Sequence, residues 1–341
     1  MSAAHVAHVA QGIERVHTVG AGRMGQGIAL ALAFAGLRAT LVDFKVRTSA
    51  EHDAFVQKSR ESIADQLKSL TALGRLTADQ AGRVLARIEF VSRENGAAAL
   101  REATLVFEAV PEVLDVKAEA LRWMESTIGE RAVIASTTST FLVTQLQAFS
   151  ARPGRIINAH WLNPAHLIPL VEVSRSDATD ADAVALTTEL LMRIGKRPIV
   201  CTPSAGYIVP RIQALAMNEA ARMVEEGVAS AEDIDTAIRT GFGLRFAVLG
   251  LLEFIDWGGC DILFYASHYL AREIAPRFEP AQAVIDNMEQ GRDGLRTRKG
   301  FYDYADVDVA DYVHRRVQSF GALLDHLGLA PEFDGALHKR A

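Results

Sequence analysis

The 341-residue chain has only two cysteines, Cys201 and Cys260. Two thiols so far apart make neither a disulfide framework nor a metal site, so both are expected reduced and buried, as in a cytoplasmic protein. Basic charge is not in excess: 36 Lys and Arg stand against 42 Asp and Glu, giving a net charge of -6. A nucleic-acid binder would carry a basic footprint, so that class is excluded. No apolar run approaches the roughly 18 residues of a membrane span, and residues 1–15 lack the apolar core of a signal peptide. The opening MSAAHVAHVA reads as a frayed terminus. There is no internal repeat and no low-complexity tract.

What is present is a globular composition, 49% hydrophobic and 23% charged, on a chain too long for one ordinary core. Short β-branched runs recur near 16–19, 39–42, 88–91, 104–109, 132–135, 156–160, 170–173 and 197–200. Helical patterns at 25–35, 51–73 and after Thr77, where T-A-D-Q makes a capping box, separate the first of them. Strands alternating with helices mean a mostly parallel, doubly wound α/β sheet of Rossmann type. After the breaker cluster C-T-P-S-A-G, 201–206, the strands stop. Helix patterns follow at 207–226, 231–239 (with Ser230 and Asp233 as a cap), 247–274 and 280–290. The expected organisation is a nucleotide domain over 1–203 and an all-α domain over 204–341.

The first strand runs into V-G-A-G-R-M-G-Q-G, in which Gly20, Gly22 and Gly25 fit G-x-G-x-x-G. Gly20 allows the tight turn, Gly22 lets a pyrophosphate approach, and Gly25 lets the helix pack on the strand. Arg23 and Met24 lie within this turn. Asp43 ends the next strand, where a carboxylate holds ribose hydroxyls and disfavours a 2′-phosphate. Lys45 and Arg47 follow closely and either soften that preference or are solvated loop charges, the second reading being favoured. Two further loops lie at strand carboxyl ends, where such sheets bind ligands. In V-P-E-V-L-D-V-K, Glu112 and Lys117 are either cofactor contacts or charges at a helix start. In S-T-T-S-T, 136–140, the hydroxyls cap the next helix or face the cleft.

The stretch N-A-H-W-L-N-P-A-H-L-I-P-L-V-E-V, 158–173, holds two histidines and a glutamate. Pro164 and Pro169 forbid one helix, leaving a strand ending at His160, a loop and a second strand. A glutamate in so apolar a strand needs a partner, because an unpaired buried carboxylate is costly. His160, at a strand end, is favoured over His166 in the loop, and a His–Glu pair makes a general base.

These segments together resemble the 3-hydroxyacyl-CoA dehydrogenase family over almost the whole chain. The glycine turn, E-A-V-P-E-V-L-D-V-K, H-W-L-N-P-A-H-L-I-P-L-V-E-V and R-T-R-K-G-F-Y-D-Y, 296–304, each match one of its signatures. The resemblance implies NAD as cofactor, His160 as catalytic base and Glu172 as its orienting partner. It implies that Ser139 hydrogen-bonds the substrate's C3 oxygen and that Asn163, Glu112 and Lys117 contact the cofactor. It gives His166 no role. It further implies a helical second domain that forms a homodimer and an L-3-hydroxyacyl-CoA substrate, of short chain.

Three departures touch the substrate. In A-G-Y-I-V-P-R, 205–211, Pro210 stands where the family often has Asn, and Asn218, two turns on, is a candidate replacement. G-F-G-L-R-F-A-V-L-G-L-L-E, 241–253, is more similar to the gulonate and carnitine dehydrogenase branch, in which Arg245 would bind a free carboxylate; otherwise Arg245 packs its stem and solvates its head. The segment 57–74, against which the family's CoA nucleotide lies, carries only Lys58, Arg60 and Lys68 as cations. A dehydrogenase of a free small 3-hydroxy acid is therefore the alternative, and a nucleotide-binding protein without turnover is the second.

Overall fold

The computed structural model describes residues 3–330; Met1, Ser2 and 331–341, which were assigned to the ends of the two expected domains, lie outside the described residues. The chain forms two compact units that divide between Ala216 and Met217.

The first unit runs α1 (Ala3–Gly12), β1 (Arg15–Val19), α2 (Arg23–Phe34), β2 (Arg38–Asp43), α3 (Ser49–Ala72), α4 (Ala78–Ala86), β3 (Ile88–Ser92), α5 (Arg93–Leu100) and β4 (Leu105–Glu108). It continues through α6 (Leu114–Glu125), β5 (Val133–Ser136), α7 (Val143–Gln147), β6 (Ile156–Trp161), β7 (Leu170–Ser174), α8 (Ala181–Arg193) and β8 (Arg197–Cys201). All eight strands join one sheet in the order β3-β2-β1-β4-β5-β6-β7-β8. Every pairing is parallel except β6 with β7. Strand alternation splits the core between the two faces: Leu41, Phe107 and Val133 pack in one layer, Val42, Val106 and Ile134 in the other. Burial on both faces is why these strands read as continuous apolar runs.

The chain reverses its strand order between β1 and β4, and there the β1–α2 turn and the loop after β4 open a crevice at the carboxyl ends of the strands. The start of the chain differs from the frayed terminus expected. The helix α1 buries Val6 and Ala10. Arg193 of α8 fixes its end, donating to the Ala10 and Ile13 carbonyls at 2.8 and 2.6 Å. Alternating alanine and valine gave no strong helical stripe, so the packing partner, not the local pattern, orders this segment.

The second unit is helical. The helix α9 (Val209–Glu225) runs across the division, and α10 (Ala231–Ala237) follows, N-capped by Ser230, whose hydroxyl accepts from the Asp233 N–H at 3.1 Å. A π-helical turn then leads to α11 (Gly243–Val248), α12 (Leu251–Gly258), α13 (Cys260–Glu273), α14 (Gln282–Glu289) and α15 (Val309–Leu327). The helix expected over 247–274 is in fact three pieces, interrupted at Gly250 and at Gly259, whose φ of 107° only glycine adopts freely. The buried Asp256 accepts from the Phe301 and Tyr302 N–H groups at 2.9 Å each and from the Tyr304 hydroxyl at 3.1 Å, which pins the R-T-R-K-G-F-Y-D-Y segment. Among the described residues no helix is long and apolar enough to cross a membrane.

Candidate active site

The crevice is a cleft of about 750 Å³ lined by Gly20, Gly22, Arg23, Met24, Asp43, Glu112 and Ser139, among others. Its three glycines meet the demands of a dinucleotide turn separately. A Cβ on Gly20, whose φ is 105°, would lie 2.4 Å from the Ala109 carbonyl carbon. One on Gly25 would lie 1.9 Å from the Gly20 carbonyl oxygen. A Cβ on Gly22 would meet nothing within 4 Å, so this position faces open space that a pyrophosphate can enter. Gly22 is also the N-cap of α2 and supplies no capping side chain, which leaves the first N–H groups of the helix for an anion. The residues present therefore fit NAD.

Asp43 is buried at the end of β2, but its carboxylate is not free. The Arg47 Nε donates to it at 2.6 Å, and the His52 Nδ1 lies 3.6 Å away. The Arg47 guanidinium also lies 4.6 Å from the Phe55 ring centroid. The expectation of a solvated loop charge holds for the exposed Lys45 and fails for Arg47, which spacing alone could not pair with a carboxylate four residues back in a non-helical turn.

Glu112 and Lys117 do more than flank a helix start. Lys117 is fully buried beneath the cleft and does not line it. Its ammonium lies 3.0 and 3.1 Å from the two oxygens of the buried Glu108 and 3.3 Å from Glu112. Glu108, absent from the sequence-based candidates, also accepts from the Val110 N–H at 2.8 Å and from the Ser136 hydroxyl. Glu112 in turn accepts from the Ser139 and Thr140 N–H groups at 3.1 and 3.0 Å, and from the Thr138 hydroxyl. Burial works to raise the Glu112 carboxyl, and the Thr138 hydroxyl, the Lys117 ammonium and the Thr140 N–H together hold it below its usual value. The S-T-T-S-T hydroxyls do not cap α7; the Gln145 side chain does, accepting from the Leu142 N–H at 2.9 Å. Thr138 folds the turn on itself, accepting from Phe141 at 3.0 Å. Ser139 is left at the cleft wall.

The antiparallel register of β6 and β7 sets His160 directly opposite Glu172. The His160 Nδ1 lies 2.8 Å from Glu172 Oε2, and Glu172 is wholly buried. Glu172 Oε1 accepts from the Ile208 and Val209 N–H groups at 2.9 Å each. The carboxylate thus joins the imidazole to the first turn of α9, where free N–H groups favour negative charge. Pro210 fits that turn because its missing N–H would be unpaired there.

A third residue completes this group and was missed from the sequence. Tyr207 stacks on His160 with centroids 4.9 Å apart and planes 9° from parallel. Its hydroxyl donates to the Thr138 carbonyl at 2.8 Å and accepts from the Asn158 Nδ2 at 3.0 Å. It therefore ties the strand bearing His160 to the turn bearing Ser139. Burial pushes the Tyr207 phenol well above its usual value, so it stays protonated. Tyr207 holds φ at 47°, a left-handed conformation that is strained for a residue with a side chain, directly after Gly206, which adopts 75° freely. The only sequence signal was the breaker cluster just before it.

His166 is half-buried and its Nδ1 has no partner. Burial, then the nearby Lys196 cation, lowers its pKa. Lys196 secures the intervening loop, donating to the Ala165 and Ile168 carbonyls at 2.6 and 2.8 Å. Asn163, in the same loop, is exposed and is not in the cleft lining. In the second unit, the exposed Arg245 lines an apolar pocket with Phe242, Phe246 and Phe254, its guanidinium 5.7 Å from the Phe254 centroid. No carboxylate among the described residues pairs with it. Asn218 is exposed on α9.

The NAD-binding domain model of 3-hydroxyacyl-CoA dehydrogenase matches residues 15–204, and the model of that enzyme's C-terminal domain matches 206–304. The chain belongs to the 3-hydroxyacyl-CoA dehydrogenase family. Its members are NAD-dependent oxidoreductases, and this chain carries their NAD-binding domain. A 5-formyl-3-hydroxy-2-methylpyridine 4-carboxylate 5-dehydrogenase of Mesorhizobium japonicum is 31% identical, over 86% of this chain and 91% of that one. A 3-hydroxybutyryl-CoA dehydrogenase of Mycobacterium tuberculosis is also 31% identical, over 86% and 99%. The solved structure of a 3-hydroxyacyl-CoA dehydrogenase from Archaeoglobus fulgidus has a TM-score of 0.72 at 31% identity, covering 93% of this chain and all of that one.

Proposed function

We propose that the protein interconverts an L-3-hydroxyacyl-CoA, of short chain, and its 3-keto form, with His160 as the group that takes and returns the hydroxyl proton. The observation that carries this reading is the bond from His160 Nδ1 to Glu172. A carboxylate only accepts, so Nδ1 must hold the hydrogen and Nε2 of the neutral ring is left with the lone pair a base needs. When Nε2 takes the proton, the buried Glu172 charge stabilises the imidazolium. Ser139, held at the cleft wall by the Glu112–Thr138 turn, positions the reacting oxygen. Glu112 contacts the cofactor directly, and Lys117 acts through it. Bound NAD supplies the hydride acceptor.

His160→Gln tests the assignment. It should cost about 10³-fold or more in kcat while NADH still binds; a variant within tenfold of wild type would defeat it.

A second reading, a free hydroxy acid as substrate, has its own support. Arg245 places a guanidinium with no acidic partner among the described residues in an aromatic pocket. In α3, Lys68 is paired with Asp65 at 2.9 Å and Arg60 lies over the Phe90 ring, so of the three cations in 57–74 only Lys58 has no such contact among the described residues. NADH oxidation with acetoacetyl-CoA, set against a panel of free 3-keto acids, separates the two. Homodimerisation through the second unit is supported by α9, which buries no residue in the single chain, and by the exposed Ile262, Tyr265 and Tyr269 of α13. Free Cys201 and Cys260 suit the reducing cytoplasm.

A further inference from the structure

The end of β2 is built differently from a carboxylate that simply grips a ribose. Asp43 is engaged by the Arg47 Nε at 2.6 Å and by the Lys45 N–H at 3.3 Å. Arg47 spends one nitrogen on this bond, and its two terminal nitrogens donate no hydrogen bond among the described residues. Its plane is held against Phe55. Lys45 has no ion-pair partner among the described residues, and both cations line the dinucleotide cleft beside Asp43. Arg93, over the Phe44 ring and paired with Glu119 at 2.6 Å, lines it too.

A 2′-phosphate carries nearly two negative charges, which a bare carboxylate at this place repels. Here the Asp43 charge is cancelled by Arg47, and Lys45 adds a positive charge to the cleft wall, with the exposed Glu51 near Arg47 as a further acid. A guanidinium pre-ordered on an aromatic ring, with free nitrogens, is a phosphate receptor.

We propose that this end of the cleft accepts a 2′-phosphorylated nicotinamide cofactor beside NAD, and that Arg47 is the residue that reads the 2′ substituent. Without the phosphate, Arg47 stays on Asp43 and the carboxylate's remaining lone pairs serve the ribose. With it, the terminal nitrogens of Arg47 and the Lys45 ammonium bond the phosphate. The inference rests on the cleft binding a dinucleotide and not on the role of His160.

Fluorescence titration of the full chain with NADH and NADPH tests it. NADPH is expected to bind within about tenfold of NADH, since one charge-assisted hydrogen bond offsets a repulsion of that size. Arg47→Gln should weaken NADPH at least about tenfold more than NADH, and retained NADH binding reports that the variant is folded. A wild type that binds NADH but discriminates against NADPH by about 100-fold or more would overturn the inference and leave the dehydrogenase reading intact. So would an Arg47→Gln variant that weakens the two cofactors equally.

Discussion

Glu172→Gln is the change whose consequence follows most directly from the geometry. Glu172 presents two oxygens to three donors: His160 Nδ1 on Oε2, and the Ile208 and Val209 N–H groups on Oε1. Glutamine has one oxygen and one NH2, so one side must give way. Turning the NH2 toward α9 would oppose it to two backbone donors, at about 1–3 kcal/mol for each one left unpaired. Turning it toward His160 costs little, because the imidazole can move its hydrogen to Nε2 and accept at Nδ1. The second arrangement wins, and the protein stays folded with its hydrogen bonds satisfied. Nε2 then carries a hydrogen where a base needs a lone pair. In hydrolases that orient an imidazole with a buried carboxylate, the equivalent exchange costs about 10⁴ in kcat, or about 5.5 kcal/mol of barrier. A loss of 10³ to 10⁴ is expected here, roughly 4–5.5 kcal/mol, with NADH affinity and melting temperature close to wild type. Steady-state turnover gives the first quantity, and ¹⁵N chemical shifts of the imidazole give the tautomer. A variant within tenfold of wild-type kcat refutes the reasoning, as does a slow variant whose Nδ1 still carries the hydrogen.

Three other outcomes are expected. Tyr207→Phe keeps the stack on His160 but removes the bridge between Asn158 and Thr138, so it should cost about 1–2 kcal/mol in stability and lower kcat more than it raises KM; unchanged denaturation and turnover would show that the hydroxyl is idle. Lys117→Met leaves Glu108 buried without its cation and should destabilise by about 3–5 kcal/mol, and adding Glu108→Gln should recover part of that in urea denaturation, whereas additive losses would exclude the coupling. His17 is held at a pKa of about 4, against 6.5, by burial first and the Arg15 cation second. The unfolded chain takes up this proton and the folded one does not, so stability falls as pH drops from about 6.5 to 4, by up to about 3 kcal/mol. His17→Leu should flatten that window relative to wild type; parallel acid-denaturation curves would refute the assignment.

How far the sequence carries depends on where each constraint lies. The inner strands were legible because a sheet covered on both faces forces apolar, β-branched runs whatever their neighbours, while the edge strands β3 and β8 are only partly covered. The glycine turn was legible because each glycine answers a local steric demand, seen directly at Gly20 and Gly25. The His160–Glu172 pair was only favoured, since the antiparallel β6–β7 register that sets them opposite is a property of the sheet and not of either strand. Tyr207 escaped notice for a related reason: its partners, Thr138, Asn158 and His160, are 69, 49 and 47 residues away in the chain. Arg47 was misread because its bond to Asp43 needs a particular turn after β2. The helix α15 was overlooked although Asp308, which accepts from the Asp311 N–H at 3.1 Å, is an ordinary N-cap.

The substrate question is of another kind. The pyridine-carboxylate dehydrogenase and the hydroxybutyryl-CoA dehydrogenase are each 31% identical to this chain. Overall likeness therefore weighs nothing between a free acid and a thioester. The residues proposed for proton transfer all lie in the first unit, tied to one another by buried hydrogen bonds that any substrate of this chemistry would use. Two of the three departures from the family pattern, Pro210 and the segment bearing Arg245, lie at the start of α9 and beyond it. Pro210 is accounted for by the helix turn alone, so it withholds a polar contact without disturbing Glu172. Arg245 is different: among the described residues no carboxylate pairs with it. A cation that pairs with no carboxylate among the described residues is the feature most sensitive to which substrate is used, since replacing it should alter KM for a carboxylate and leave a CoA thioester untouched.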